Sequence, residues 1–269
     1  MINYIIVFIF GSIIGSFLNV CIYRLPKEES IVKPSSYCPQ CKKPIPAYDN
    51  IPLLSYILLL GKCRSCKARI PFRYFLVELI TALLFLALFN RYQFSLDFFA
   101  YAILICALVV STVIDIQTRL VFSVVTYGGI ILGLLFNATK GLSLSPLAYD
   151  FKPSLNSLLG IIAGGGIIYL TGKIFNVFYF GLLKKPPIDG EKESMGFGDV
   201  ELLAMIGAFL GWQKVILTFF LAPFFGAVVG IINLMVKKEH TIPYGPFLSL
   251  GALISLFWLD KIINFLFLR

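Results

Sequence analysis

FFAYAILICALVVSTVID, residues 98–115, is the stretch that decides how this chain is read. Seventeen uncharged and mostly apolar residues run without a break into one carboxyl group, Asp115. Wound as an α-helix at 1.5 Å per residue, such a run reaches about 26 Å, close to the ~30 Å hydrocarbon core of a bilayer. An ionisable group kept in a membrane helix is costly and by default points to function.

Seven other apolar stretches follow the same pattern: Tyr4–Tyr23, Tyr74–Phe89, Leu120–Phe136, Leu158–Leu182, Val200–Trp212, Val215–Val236 and Tyr244–Leu268. With 58% hydrophobic and 14% charged residues, the 269-residue chain falls outside the range of soluble domains. The expected fold is an all-α polytopic membrane protein with about eight transmembrane helices and one small loop domain. The Tyr74 and Val200 stretches look too short to cross a bilayer comfortably. Tyr4–Tyr23 has neither a basic stretch before it nor a small-residue cleavage site after it, so it reads as a retained helix rather than a signal peptide. The organisation expected is a first transmembrane helix at 1–23, a cytosolic four-cysteine module at 24–73, and a membrane core of about seven helices at 74–269.

The formal charge of +9 comes from short basic clusters between apolar runs. No basic stripe is interleaved with exposed aromatics, so nucleic acid is not an expected partner; the lipid bilayer is. Residues 24–73, 119, 184–192 and 237–238 together carry sixteen of the Lys and Arg residues. Arg91, Lys140, Lys152, Lys214, Lys261 and Arg269 fall on the opposite side, and Lys173 lies inside a helix. The positive-inside rule therefore turns the sixteen toward the cytosol and both termini outward.

Four of the six cysteines form two CxxC pairs in the most basic loop: Cys38 with Cys41, and Cys63 with Cys66. Each pair brings two thiolates to one side of a tight turn, and two such turns complete a closed tetrahedral zinc site, as in zinc ribbons. Lys42, Lys43, Lys62, Arg64 and Lys67 would offset the thiolate charge. Redox dithiols or free thiols are the alternative reading. Cys21 and Cys106 lie in helices and read as small apolar residues.

Asp199 closes Gly196-Phe-Gly-Asp199 at the start of the Val200 stretch, at the same cytosolic level as Asp115. Two carboxyls held close together share one proton and titrate as a pair, which is the requirement of aspartyl proteolysis. Gly196 and Gly198 would let a substrate backbone approach and the helix start unwind. Either aspartate alone reads equally well as a helix cap or an interfacial charge. Elimination supports the pair: the one histidine, His240, stands in a loop, with no HExxH and no nucleophile elbow. Glu78, inside the Tyr74 stretch, is a further carboxylate whose partner is expected to be Arg73 or a substrate group. Gly164-Gly165-Gly166 reads as helix packing.

These residues resemble one family, the type IV prepilin peptidases. The likeness is carried by residues 11–26 (GSIIGSFLNVCIYRLP), the cysteine loop with 50–56 (NIPLLSY), residues 73–79 (RYFLVEL), Ile114-Asp115, residues 196–203 (GFGDVELL) and residues 242–247 (IPYGPF). The resemblance implies a prokaryotic inner-membrane enzyme that cuts the basic leader from prepilins and pseudopilins at the cytosolic face, using Asp115 and Asp199. It also implies methylation of the new N-terminal amine from S-adenosylmethionine, with the residues that bind the donor unassigned. Two positions depart from the family pattern. Glu201 stands where Lys is usual, and Phe122-Ser123 where Pro-Asp is usual. Two rival readings are another GxGD intramembrane protease without methyl transfer, and a proton-coupled transporter with a zinc docking module.

Overall fold

The computed structural model describes residues 1–143, 150–182, 196–236 and 242–267. His240, most of the linker from Gly181 to Gly198, and the basic residues at 184–192 and 237–238 lie outside them. The chain divides into two compact units, Met1–Ile114 and Asp115–Arg269.

In the first unit, α1 (Ile2–Arg24) and α3 (Arg73–Tyr92) pack as an antiparallel pair. Small residues on α1 allow a close approach: a methyl at Gly11 would sit 2.8 Å from the Ala82 Cα, and one at Gly15 would sit 2.7 Å from the Glu78 Cα. In the same register Asn19 Nδ2 donates to the Tyr74 carbonyl at 2.9 Å, and the Tyr4 ring meets Phe89 edge-on at 5.1 Å. Phe85, Phe89 and Phe98, the last from α4 (Leu96–Thr118), form a buried aromatic cluster. Between α1 and α3 lies the cysteine loop, whose only α-helix among the described residues is the short α2 (Leu54–Leu58).

The second unit begins with the last turn of α4. It continues through α5 (Ser123–Ser143), α6 (Lys152–Asn176) with a π-helical turn after it (Val177–Leu182), α7 (Phe197–Leu210), α8 (Trp212–Val236) and α9 (Gly245–Phe267). Each apolar stretch singled out in the sequence is helical over most of its described residues; Leu120 to Phe122, Gly211 and Tyr244 lie outside the helices. Among the described residues, six helices are long and apolar enough to cross a membrane: α1, α3, α4, α5, α6 and α8. The Tyr74 stretch is one of them, because Arg73 before it and Asn90, Arg91 and Tyr92 after it extend α3 to 20 residues. α7 has 14 residues, and α9 adds an apolar stretch at Gly245–Leu259.

α7 reaches only about 21 Å along its axis. It is instead an interior strut, buried from Glu201 to Leu210 and packed by α5, α6, α8 and α9. A helix that is apolar all round belongs inside a bundle. The backbones of α6 and α7 touch at Gly160 and Gly207, where a methyl on either glycine would overlap the other's carbonyl oxygen. Gly164 faces the Leu203 carbonyl and Gly165 sits against Ala204, whereas Gly166 meets nothing within 4 Å. The Ala208 carbonyl accepts from Ser157 Oγ at 2.6 Å and from Asn137 Nδ2 at 3.0 Å, tying α6 and α5 to the strut. Gly211, at φ 81°, ends α7 and turns the chain directly into α8.

The contact at Gly160 and Gly207 has no flexible side chain to yield, so α6 and α7 must separate to admit a branched residue. Gly207→Val is expected to cost at least ~3 kcal/mol of stability. Gly166→Val, facing open space, should stay near wild type. Thermal unfolding in detergent, with wild type and both variants side by side, checks the contrast.

Candidate active site and cysteine centre

Asp115 lies in the last turn of α4 and is 5% exposed. Its Oδ2 accepts the backbone N–H of Gly245 at 2.8 Å. Gly245 is the first residue of α9, so the carboxyl sits on the positive end of that helix. A methyl at Gly245 would approach Asp115 Oδ2 to 2.7 Å, so glycine is what lets the two elements meet. Arg119 ends α4 in the left-handed region at φ 56° and adds a nearby positive charge to Asp115.

Asp199 is the third residue of α7, not its cap; Gly196, in extended conformation, takes the cap position. The Asp199 N–H closes the first turn on the Gly196 carbonyl at 3.1 Å. Each aspartate therefore belongs to a helix N-terminus, Asp199 to its own α7 and Asp115 to the facing α9. The two carboxyls lie within range of each other's charge. The structure thus brings together the two residues the sequence singled out, through elements far apart in the chain.

The room at Gly198 is taken by Val121, whose Cβ would lie 2.6 Å from a methyl there. Gly196 is less crowded: the nearest atom to a methyl would be Asp199 Oδ2 at 3.7 Å. One neighbour went unnoticed as a site residue in the sequence. The Tyr244 hydroxyl is buried without a hydrogen-bond partner among the described residues, and Tyr244 lies within electrostatic reach of Asp199. Its only signal was its place in IPYGPF, beside the glycine that contacts Asp115.

The two positions that depart from the family pattern meet each other. Glu201, 6% exposed, accepts from Ser123 Oγ at 3.2 Å and from Thr126 Oγ1 at 2.7 Å, and the Tyr127 hydroxyl also reaches it.

In the first unit the four cysteines form one cluster, their Sγ atoms all within 4.8 Å of one another. Two equivalent turns build it. Cys38 N–H donates to the Lys43 carbonyl and Lys42 N–H to the Cys38 carbonyl, while Cys63 N–H donates to Ala68 and Lys67 N–H to Cys63. Lys42 and Lys67, each just after the second cysteine, share a left-handed φ of 58° and 57°. Ile45 N–H to Ser36 and Ile70 N–H to Gly61 close both turns in the same register. The two turns also share residue types at five positions, Cys38/Cys63, Cys41/Cys66, Lys42/Lys67, Ile45/Ile70 and Pro46/Pro71.

Glu78 is not paired with Arg73. Its Oε2 accepts the Leu53 N–H at 2.7 Å, and Ser16 supplies a second hydrogen bond. Arg73 lies over the Tyr74 ring at 5.3 Å, with its Nε buried and without a hydrogen-bond partner. Glu78 thus fastens the cysteine loop to α1 and α3.

Comparison with known proteins gives the family. Residues 9–92 match the Bacterial Peptidase A24 N-terminal domain, and residues 102–231 match the Type IV leader peptidase family. A protein of Aeromonas salmonicida named prepilin leader peptidase/N-methyltransferase is 35% identical, over 96% of this chain and 91% of its own length. Proteins of the same name from Pseudomonas aeruginosa and Neisseria gonorrhoeae are 36% and 33% identical, over 94% and 91% of this chain and 89% and 86% of their own. No solved structure matches. The chain belongs to the type IV leader peptidase family.

Proposed function

We propose that this chain is an aspartic endopeptidase of the prokaryotic inner membrane, which removes the leader from prepilins and pseudopilins and methylates the new N-terminus. The observation that carries the reading is the placement of Asp115 and Asp199 within range of each other's charge, one at the N-terminus of α9 and one in the first turn of α7. A buried carboxyl pair supplies both partners that peptide hydrolysis needs. One takes a proton from water as the water oxygen attacks the scissile carbonyl carbon, and the other gives its proton to the carbonyl oxygen. The C–N bond then breaks and the amine leaves with a proton. The excess of Lys and Arg in the loops on one side supports a cytosolic position for both aspartates.

The new amine then takes a methyl group, for which S-adenosylmethionine is the donor this reading calls for; no residues are assigned to it. The cysteine cluster is proposed as a structural zinc centre held by Cys38, Cys41, Cys63 and Cys66. Tetrahedral ligation at 2.3 Å sets sulfurs about 3.8 Å apart. Cys38 and Cys66 Sγ stand at 3.8 Å, so the donor set fits that geometry. Four thiols leave no open position for water, which suits a structural role. The backbone N–H groups of Cys66 and Ser65 draw the Cys63 thiol down to about 7. For Cys66 the Ala68 N–H also lowers the value, but burial and the other three thiols outweigh it and push Cys66 up to about 11.

Asp115→Asn and Asp199→Asn are each expected to lower cleavage of a prepilin-like peptide by at least ~10³-fold. Methyl transfer to an already cleaved peptide should persist, and both activities are read in the same membranes. Cleavage surviving in either variant defeats the pair.

For the cysteine centre, Cys38→Ser should lose bound zinc and weaken methylation or stability more than cleavage; unchanged zinc content in the purified variant refutes the assignment. In metal-free protein, alkylation near pH 7 should reach Cys63 before Cys66. Because the Cys63 value is depressed, its thiolate is lost as pH falls through about 7. Its alkylation rate should drop about fivefold from pH 7 to pH 6. Mass spectrometry of the labelled peptides measures both effects.

A further inference from the structure

The short corner that joins α4 to α5, and the first residues of α5 after it, both touch the start of α7. Val121 fills the space at Gly198, and Ser123 and Thr126 hydrogen-bond Glu201. Positions 198 and 201 are three apart on a helix and share one face. Asp199 follows Gly198 and is therefore turned about 100° away from that face. The corner grips one side of the turn and leaves the Asp199 side chain free on another. The same corner begins where α4 ends, four residues after Asp115, with the Arg119 N–H bonded to the Asp115 carbonyl at 2.8 Å.

A carboxyl that is 6% exposed needs its oxygens satisfied, since a buried polar group without partners costs far more than a made hydrogen bond returns. Here Thr126 Oγ1 satisfies Oε2 and Ser123 Oγ satisfies Oε1. These partners lie on α5, a different helix from the one that carries the carboxyl, so the bonds fix α7 against α5 rather than fixing α7 internally. Removing either end frees the first turn of α7 to shift or rotate. Asp199, two residues before Glu201, moves with it.

We propose that Glu201, clasped by Ser123 and Thr126, is a positioning residue that sets the distance between Asp199 and Asp115 in peptide cleavage. It touches neither substrate nor water. Its effect reaches the reaction through the placement of Asp199, so loss of the clasp lowers the rate of the chemical step and leaves substrate binding alone. Misplacement of a catalytic group by about 1 Å costs up to ~10²-fold in rate.

The test rests on the cleavage reading and uses the full-length protein in detergent or membranes with a prepilin-like peptide. Thr126→Val keeps the volume and removes the hydroxyl; Thr126→Ser keeps the hydroxyl. Thr126→Val and Glu201→Gln are each expected to lower kcat about tenfold with KM within about twofold, while Thr126→Ser stays near wild type. Because the two changes break one contact, the double variant should be no slower than the slower single. Should Thr126→Val fail to fold, Ser123→Ala provides the milder break and should lower kcat about threefold. The proposal is overturned if kcat is unchanged, if KM carries the loss, if Thr126→Ser is as slow as Thr126→Val, or if the losses multiply. Wild-type protein that does not cleave would sink the cleavage reading itself; wild type that cleaves beside unaffected variants sinks only this proposal.

Discussion

Everything in the second unit is arranged around the cost of holding two carboxyls close together inside apolar helices. Like charges at short range in a low dielectric repel strongly, and burial penalises each charge on its own account. The fold offsets this with helix ends. α9 begins at Gly245 with its N–H on Asp115, and α7 begins two residues before Asp199. Both helices bring the positive end of the backbone dipole to the pair. The offset depends on glycine at 245, because any side chain there would push the N–H away from the carboxyl it serves.

The same demand explains why α7 is short and buried. A span of about 20 residues would run its N-terminus through to the membrane surface. At 14 residues, α7 can begin beside Asp115 and still end within the bundle, at Gly211. Its position is then set by close backbone approach to α6 and by hydrogen bonds from α5 and α6 to one carbonyl, Ala208. Without a hydrophobic driving force between helices in lipid, such close packing and interhelical hydrogen bonds are what hold them together. The turn that carries Asp199 thus stands at the end of a helix held by close backbone approach and interhelical hydrogen bonds.

Much of this was legible in the sequence, and what was not has physical reasons. The eight helices could be read because each is a long apolar run, and Asp115 and Asp199 stood out because carboxyls are rare in such runs. The CxxC pairs announced the cluster by spacing alone. The shared register of the two turns is written in the residue types as well, as CxxCKxxIP at 38–46 and 63–71, and the structure adds to it matching backbone hydrogen bonds and the left-handed φ of Lys42 and Lys67. For Glu78 the sequence offers Arg73, five residues away, or a substrate group as partner. Its actual partners, Leu53 and Ser16, come from the loop and from α1, and contacts of that kind are not readable from one strand of text. Tyr244 was quoted inside a motif, but nothing in its type or spacing could reveal that its hydroxyl would be buried near Asp199.

The two departures from the family pattern carry the sharpest lesson about reading positions singly. Taken one at a time, Glu201 in place of Lys and Ser123 in place of Asp each look like the loss or reversal of a charge beside the site. Facing each other across 3.2 Å, they are one contact rewritten. At this contact a carboxyl is satisfied by hydroxyls, with Thr126 contributing the shorter bond. Breaking a buried polar pair at one end is what costs several kcal/mol, whereas replacing both ends together can be nearly neutral. In this chain both ends of the contact are present, and the hydroxyls of Ser123 and Thr126 hold the start of α5 against α7 two residues from Asp199.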